Sequence, residues 1–310
     1  MLKRITFLVM ALTMMIGITG NQSTFASSGN TEPEVINEKL GVPTIVYGDT
    51  LTETQEAEVR ELLNVQDQNN VDELRVDGQD IAKYIDGNPN SRMYSSVKIT
   101  PRDKGEGLGV VIVTPDNITE VTEEMYANAL LTAGVENALV EVASPLKVTG
   151  HSALTGIYKA FDEKGIQLDQ NRMKVANEEL DVATDLSQNS ELTPEQVSQL
   201  ITEIKKEISE QAPTSREEIE QIIHVTIENL NVNLNAEEIN MLTDLFDQMR
   251  DLNIDFSNVE EQLNDIASSV KDVLNDEGFW NNVENFFKNI IDAILDIFQS
   301  IINSIREMFA

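Results

Sequence analysis

Two histidines, 54 acidic side chains and no cysteine limit the chemistry open to this chain. Without cysteine there are no disulfides, thiolate nucleophiles, Cys-ligated zinc sites or iron–sulfur clusters. His224 lies between Ile223 and Val225 on a helical run. Nothing three or four residues away completes a metal motif, which needs several converging ligands. His151 is better placed, in Gly150-His151-Ser152-Ala153-Leu154, after a strand and at the start of a helix. A nucleophile elbow, G-x-S-x-G, occupies that position in hydrolases. Ser152 and His151 are therefore the catalytic candidates, with His224 as the base that would serve a Ser152 nucleophile. The motif departs at Leu154, where glycine is expected, and residues 145–149 separate strand from turn. The competing reading is helix capping by the hydroxyl of Thr149 or Ser152. An enzyme would need a deep pocket around Ser152 and the Gly105–Gly107 loop.

Three other patterns suggest ligands. Residues 104–109 are glycine-rich, but a strand follows them, whereas a phosphate cradle leads into a helix. Asp86, Asn88 and Asn90 place oxygens at alternate positions, as a calcium loop begins. Ser91 and Val97 then replace the glycine and glutamate such a loop needs, so a turn is the simpler account. A carboxylate pair for glycoside hydrolysis is available by count, but one Trp and 5% aromatics make a poor sugar platform. No cofactor is expected.

The elements that must position these residues fall into two groups. Residues 27–165 alternate short β-rich runs with short helices. Strands are expected at 44–47, 74–76, 95–100, 109–114 and 138–143. A capping box at Thr52/Gln55 opens a helix, and a further helix spans 122–133. Residues 95–100 and 109–114 read as a β-hairpin, and 109–143 as a βαβ unit with a right-handed crossover. From residue 166 to 310 the β pattern vanishes, and capping boxes at Thr193/Gln196, Ser215/Glu218 and Ser257/Glu260 precede apolar-periodic runs. The expected architecture is an α/β domain with a mixed sheet, followed by an acidic all-α domain. The two parts carry net charges of −13 and −21.

That all-α part ends in an amphipathic helix over 279–309. Trp280, Phe287, Ile291 and Phe298 stand on its apolar side, which covers about half the cylinder. Such a face closes a bundle or docks on a partner, and those four residues are the partner-binding candidates. Membrane docking is disfavoured, because interfacial helices carry Lys and Arg on the polar face and this one is mostly acidic.

Lys3 and Arg4, an apolar run over 5–18 and Ala26 form a secretory signal peptide, with cleavage expected after Ala26. The run is too short to span a bilayer. The remaining chain carries a net charge of −34. That charge excludes a nucleic-acid-binding surface, which needs clustered Lys and Arg. A cysteine-free, acidic, exported chain fits the outside of a Gram-positive cell. Divalent cations could bridge such a chain to an anionic surface, so calcium-dependent adhesion is a further alternative.

Residues 94–99, 118–119, 131–134 and 142–145, with Val148-Thr149-Gly150-His151-Ser152-Ala153-Leu154-Thr155-Gly156-Ile157-Tyr158-Lys159-Ala160, carry a family likeness. The chain resembles the YpuA-like family of exported Gram-positive proteins, a domain of unknown function. The resemblance is tightest between Tyr94 and Ala160. An acidic residue is usual in that family where His151 stands, which weakens a histidine-dependent mechanism. It implies an extracytoplasmic, envelope-associated role without an assigned activity. The sequence reading is thus an exported, non-enzymatic envelope protein that binds an envelope protein or wall component. A secreted hydrolase acting near Ser152 is the alternative.

Overall fold

The structure, a computed structural model, describes residues 41–65, 70–252, 254, 256 and 261–266. The signal segment, the Ser257/Glu260 box, and the helix at 279–309 with Trp280, Phe287, Ile291 and Phe298 lie outside the described residues.

Five strands form one mixed sheet: β1 (Thr44–Gly48), β2 (Asp72–Val76), β3 (Ser96–Pro101), β4 (Leu108–Ile112) and β5 (Ala138–Ala143), in the order β2-β1-β3-β5-β4. The helices between them are α1 (Glu53–Leu62), α2 (Gly78–Ile85) and α3 (Glu123–Ala133). Helices α4 (Ser152–Glu163), α5 (Gln170–Asn189), α6 (Pro194–Gln211), α7 (Arg216–Leu230) and α8 (Ala236–Asp251) follow. The mixed sheet with interspersed helices, followed by helices alone, is the expected fold class.

Strand pairing corrects one expectation. β3 and β4 do not form a hairpin, because β5 inserts between them, antiparallel to β3 and parallel to β4. Loop 102–107 must then span two inter-strand spacings, roughly 10 Å. Asn137, just before β5, holds that arch: its Oδ1 accepts from the N–H of Gly105 (2.7 Å) and Gly107 (3.3 Å), and its carbonyl from Arg102 (3.2 Å). Gly105 and Gly107 have φ of 93° and 76°, a region that costs glycine little.

The parallel pairs β1/β2 and β4/β5 are both βαβ units. Alternation sorts β1 into Ile45 and Tyr47, packed with Val59 and Leu63 beside α1, and Val46, which faces α4. Val97, Ile99, Val140 and Val142 share the Val46 face, as their register requires, and α3 packs there too. Both crossovers step toward β2 across the sheet, yet α1 and α3 lie on opposite faces. They are therefore of opposite hand, and one departs from the usual right-handed rule.

Helix starts follow local chemistry. Thr52/Gln55 and Thr193/Gln196 form reciprocal capping boxes, as read from sequence. Asp77/Asp80 and Asn235/Glu238 form two more. Asp77 therefore starts α2 at Gly78. Ser215 caps α7, but the Glu218 carboxylate turns to Thr214, completing only half of that box.

The apolar core runs unbroken from the Val46 face of the sheet through α3 and α5 into α6, α7 and α8. Within it lies a polar knot. Lys205 of α6, with its side chain fully buried, donates to Glu179 Oε1 of α5 (2.5 Å) and to Asn128 O (2.8 Å) and Oδ1 (3.3 Å) of α3. Thr132 donates to Glu179 Oε2 at 2.5 Å, and Asn128 Nδ2 to Thr202 at 2.9 Å. Burial pushes the Lys205 ammonium down, and the Glu179 carboxylate opposes that shift.

Candidate functional site

Four of the five strands run in one direction, so the carboxyl ends of β1, β2, β4 and β5 share one edge of the sheet. Ligand crevices in α/β folds form outside such an edge. A cleft of about 470 Å³ lies there, between segment 91–94, loop 147–150, the start of α4, and Asn177 and Asp181 of α5. Its loop 147–150 and the start of α4 fall inside the stretch where the family likeness is tightest.

The walls are fixed by the chain around them. Met93, before β3, donates to Thr50 Oγ1 (3.0 Å) and accepts from the Thr50 N–H (3.1 Å). Loop 144–150 is stitched to the segment before α3, with Val148 N–H donating to Asn117 O (2.8 Å) and Thr119 N–H to Val148 O (2.9 Å). Gly150 closes the loop at φ 108°. A Cβ there would sit 2.7 Å from Tyr126 Oη, whose hydroxyl donates to the Gly150 carbonyl at 2.7 Å. Tyr126 is wholly buried, and burial holds its phenol far above the ordinary range. It sets where α4 begins.

The first turn of α4 forms one wall. Neither expected hydroxyl caps it. The preceding residue is His151, itself helical at φ −52°, ψ −35°, with no side-chain cap. A helix start left uncapped by side chains presents N–H groups and a positive dipole end. Thr155, one turn in, is 1% exposed and lines the cleft, and its hydroxyl has no partner. Thr184, Thr202, Thr226 and Thr243 all donate to the carbonyl four residues back, the usual fate of a helix threonine. Thr155 does not.

Arg92 and Lys147 flank the cleft, both exposed and, among the described residues, neither bonded to nor ion-paired with another side chain. The opposite wall is acidic. Asp181 Oδ1 lies 3.4 Å from His151 Nε2, and Oδ2 accepts from Asn177 (3.1 Å). His151 Nε2 is 3.1 Å from Thr184 Oγ1. The Thr184 hydroxyl proton is committed to helix carbonyls, so Nε2–H donates to it. His151 thus ties α4 to α5 and leaves Ser152 without a base.

The other candidates sit apart. His224 is exposed on α7, 3.8 Å from Glu220 and away from the cleft. The Gly105–Gly107 loop lies beyond the far end of β3, at the opposite edge of the sheet, so the pocket expected to join it to Ser152 is not formed. Asp86 is the left-handed cap of α2 and pairs with Lys174 at 2.5 Å. Asn88 Oδ1 accepts the Asn90 N–H (3.0 Å) in a local turn. No group of three or more His, Cys, Asp or Glu among the described residues could hold a metal ion. Among them no helix is long and apolar enough to cross a membrane. Arg92, Lys147, Thr155 and Asp181 escaped the sequence reading because they come from four separate segments.

Comparison with known proteins adds a family without a function. The model "Protein of unknown function (DUF1002)" matches residues 47–266. The uncharacterized protein YpuA of Bacillus subtilis (strain 168) is 33% identical over 270 residues, covering 84% of this chain and 91% of that protein. No solved structure matches. The residues lining the cleft, and all of the sheet except the first three residues of β1, fall within the matched residues, and the chain belongs to the DUF1002 family of proteins of unknown function.

Proposed function

We propose that this is an exported, non-enzymatic protein of the cell envelope that works by binding, with the cleft at the carboxyl edge of the sheet as its binding surface. The observation that carries the reading is a preformed cleft that, among the described residues, has two unengaged cationic side chains and a buried, unpartnered hydroxyl but no nucleophile–base pair. The signal-like segment at 1–26 and the absence of cysteine support export. The partner is an envelope protein or wall component, and Trp280, Phe287, Ile291 and Phe298 provide a second docking element. Cell fractionation and wall sedimentation test this. The protein is expected outside the cytoplasm, and the full chain is expected to co-sediment with purified walls, less so as Arg92→Ala/Lys147→Ala. A cytoplasmic location would overturn it, as would hydrolytic turnover that disappears in Ser152→Ala.

A further inference from the structure

Resting on that binding reading, we infer that the start of α4 receives an anionic oxygen group of the ligand, a carboxylate or a phosphate. Its oxygens would be met by the Thr155 hydroxyl and the free end of the helix, with Arg92 and Lys147 closing over it from the rim.

Three observations converge. Helix starts that border clefts and lack a side-chain cap favour anions, through exposed N–H groups and the dipole. That alone would not make a site. Thr155 adds an independent sign, because a hydroxyl at 1% exposure with no partner among the described residues carries an unmet hydrogen bond, and Thr155 lines the cleft. Every other helix threonine that bonds four residues back has met its need within its own helix. The third sign is charge. In a chain of net −32, most basic side chains near the sheet are taken: Arg60 by Glu73, Arg75 by Glu56, Lys98 by Glu141, Lys159 by Asp80, Lys164 by Asp72. Arg92 and Lys147 flank this one cleft with their charges unspent. Asp181, which an anion would avoid, is engaged by His151 across the cleft and by Asn177 on its own helix.

The two source chemistries can be separated. A peptide terminus offers a planar carboxylate, and an anionic wall polymer offers a phosphate. Calorimetry on the full chain at low ionic strength, with N-acetyl-alanine and with inorganic phosphate, tests both. At least one is expected to bind, weakening with added salt. Thr155→Val should weaken binding about tenfold while leaving the protein as stable or more so, since it removes an unpaired buried hydroxyl at nearly constant shape. Arg92→Gln/Lys147→Gln should weaken it at least as much. Preference for one probe assigns the source. Unchanged binding in Thr155→Val overturns the assignment. Binding of neutral wall sugar fragments in the cleft with neither anion bound would overturn it too, while leaving the binding reading intact. Absence of binding to walls, sugars and anions alike removes both.

Discussion

Replacing Lys205 by methionine tests the knot joining the sheet layer to the later helices. In the wild type all three ammonium protons are used, on Glu179 Oε1, Asn128 O and Asn128 Oδ1. Methionine fills the volume but leaves the Glu179 carboxylate, 1% exposed, with Thr132 as its remaining described partner. Removing one member of a buried pair costs about 3–5 kcal/mol, mainly because the other charge stays in low dielectric. With a denaturant slope of about 2.5 kcal/mol/M, the urea midpoint followed by circular dichroism should fall by about 1.5 M. Adding Glu179→Leu removes the stranded charge. What remains is the unmet bonding of Asn128 and Thr132, about 1–2 kcal/mol, so the double variant should be more stable than Lys205→Met alone. A loss below about 1 kcal/mol for Lys205→Met would refute the account. A double variant less stable than that single one would do the same.

Three further outcomes are expected. Gly150→Ala should lose about 2–3 kcal/mol by thermal or urea unfolding, because φ 108° and the 2.7 Å approach to Tyr126 leave no room for a Cβ. A loss under 0.5 kcal/mol would mean the loop rearranges freely. Asn137→Ala should cost about 1–2 kcal/mol and speed amide exchange at Gly105 and Gly107; unchanged exchange there would remove Asn137 from its role in the arch. Glu203 and Glu207 are buried on α6, and burial raises both carboxyls above the ordinary range. With folded values above unfolded ones, the native state binds protons more tightly, so stability from these groups rises as pH falls through the raised values. Glu203→Gln/Glu207→Gln should therefore stabilise the protein at pH 7.5, with the gain shrinking toward pH 4. A gain that does not depend on pH would contradict this.

Much of the fold was legible because its signals are local. The boxes at Thr52 and Thr193 announce helix starts within four residues, and the apolar periods of α5 to α8 identify side chains that are in fact buried. The hairpin was misread for the complementary reason. β3 and β4 run antiparallel, with a short glycine-bearing loop between them, as a hairpin would. Only Asn137, thirty residues onward, reveals that a third strand intervenes. The site divides likewise. The strand-to-helix turn at Gly150 was visible, and with it His151 and Ser152. Their roles were not, since His151 turns to Thr184 on another helix. Nothing local distinguishes Thr155 from a helix threonine bonded to its own backbone.

The insertion of β5 also sets an order of assembly. β1, β2 and β3 hold every partner they need among themselves except β5, and all are complete by Pro101. Among the described residues β4 has no strand partner earlier in the chain. It must wait, with its ladder groups open, until α3 has formed and residues 138–143 slide into the gap beneath the arch. During synthesis, then, the partners of the β1–β2–β3 ladder are all available before β4 and β5 can pair, and Leu108 to Ile112 waits for its partner while residues 113–137 are made. Pulse-labelled amide exchange during refolding should show β4 protected no earlier than β5, and earlier protection of β4 would reverse that order.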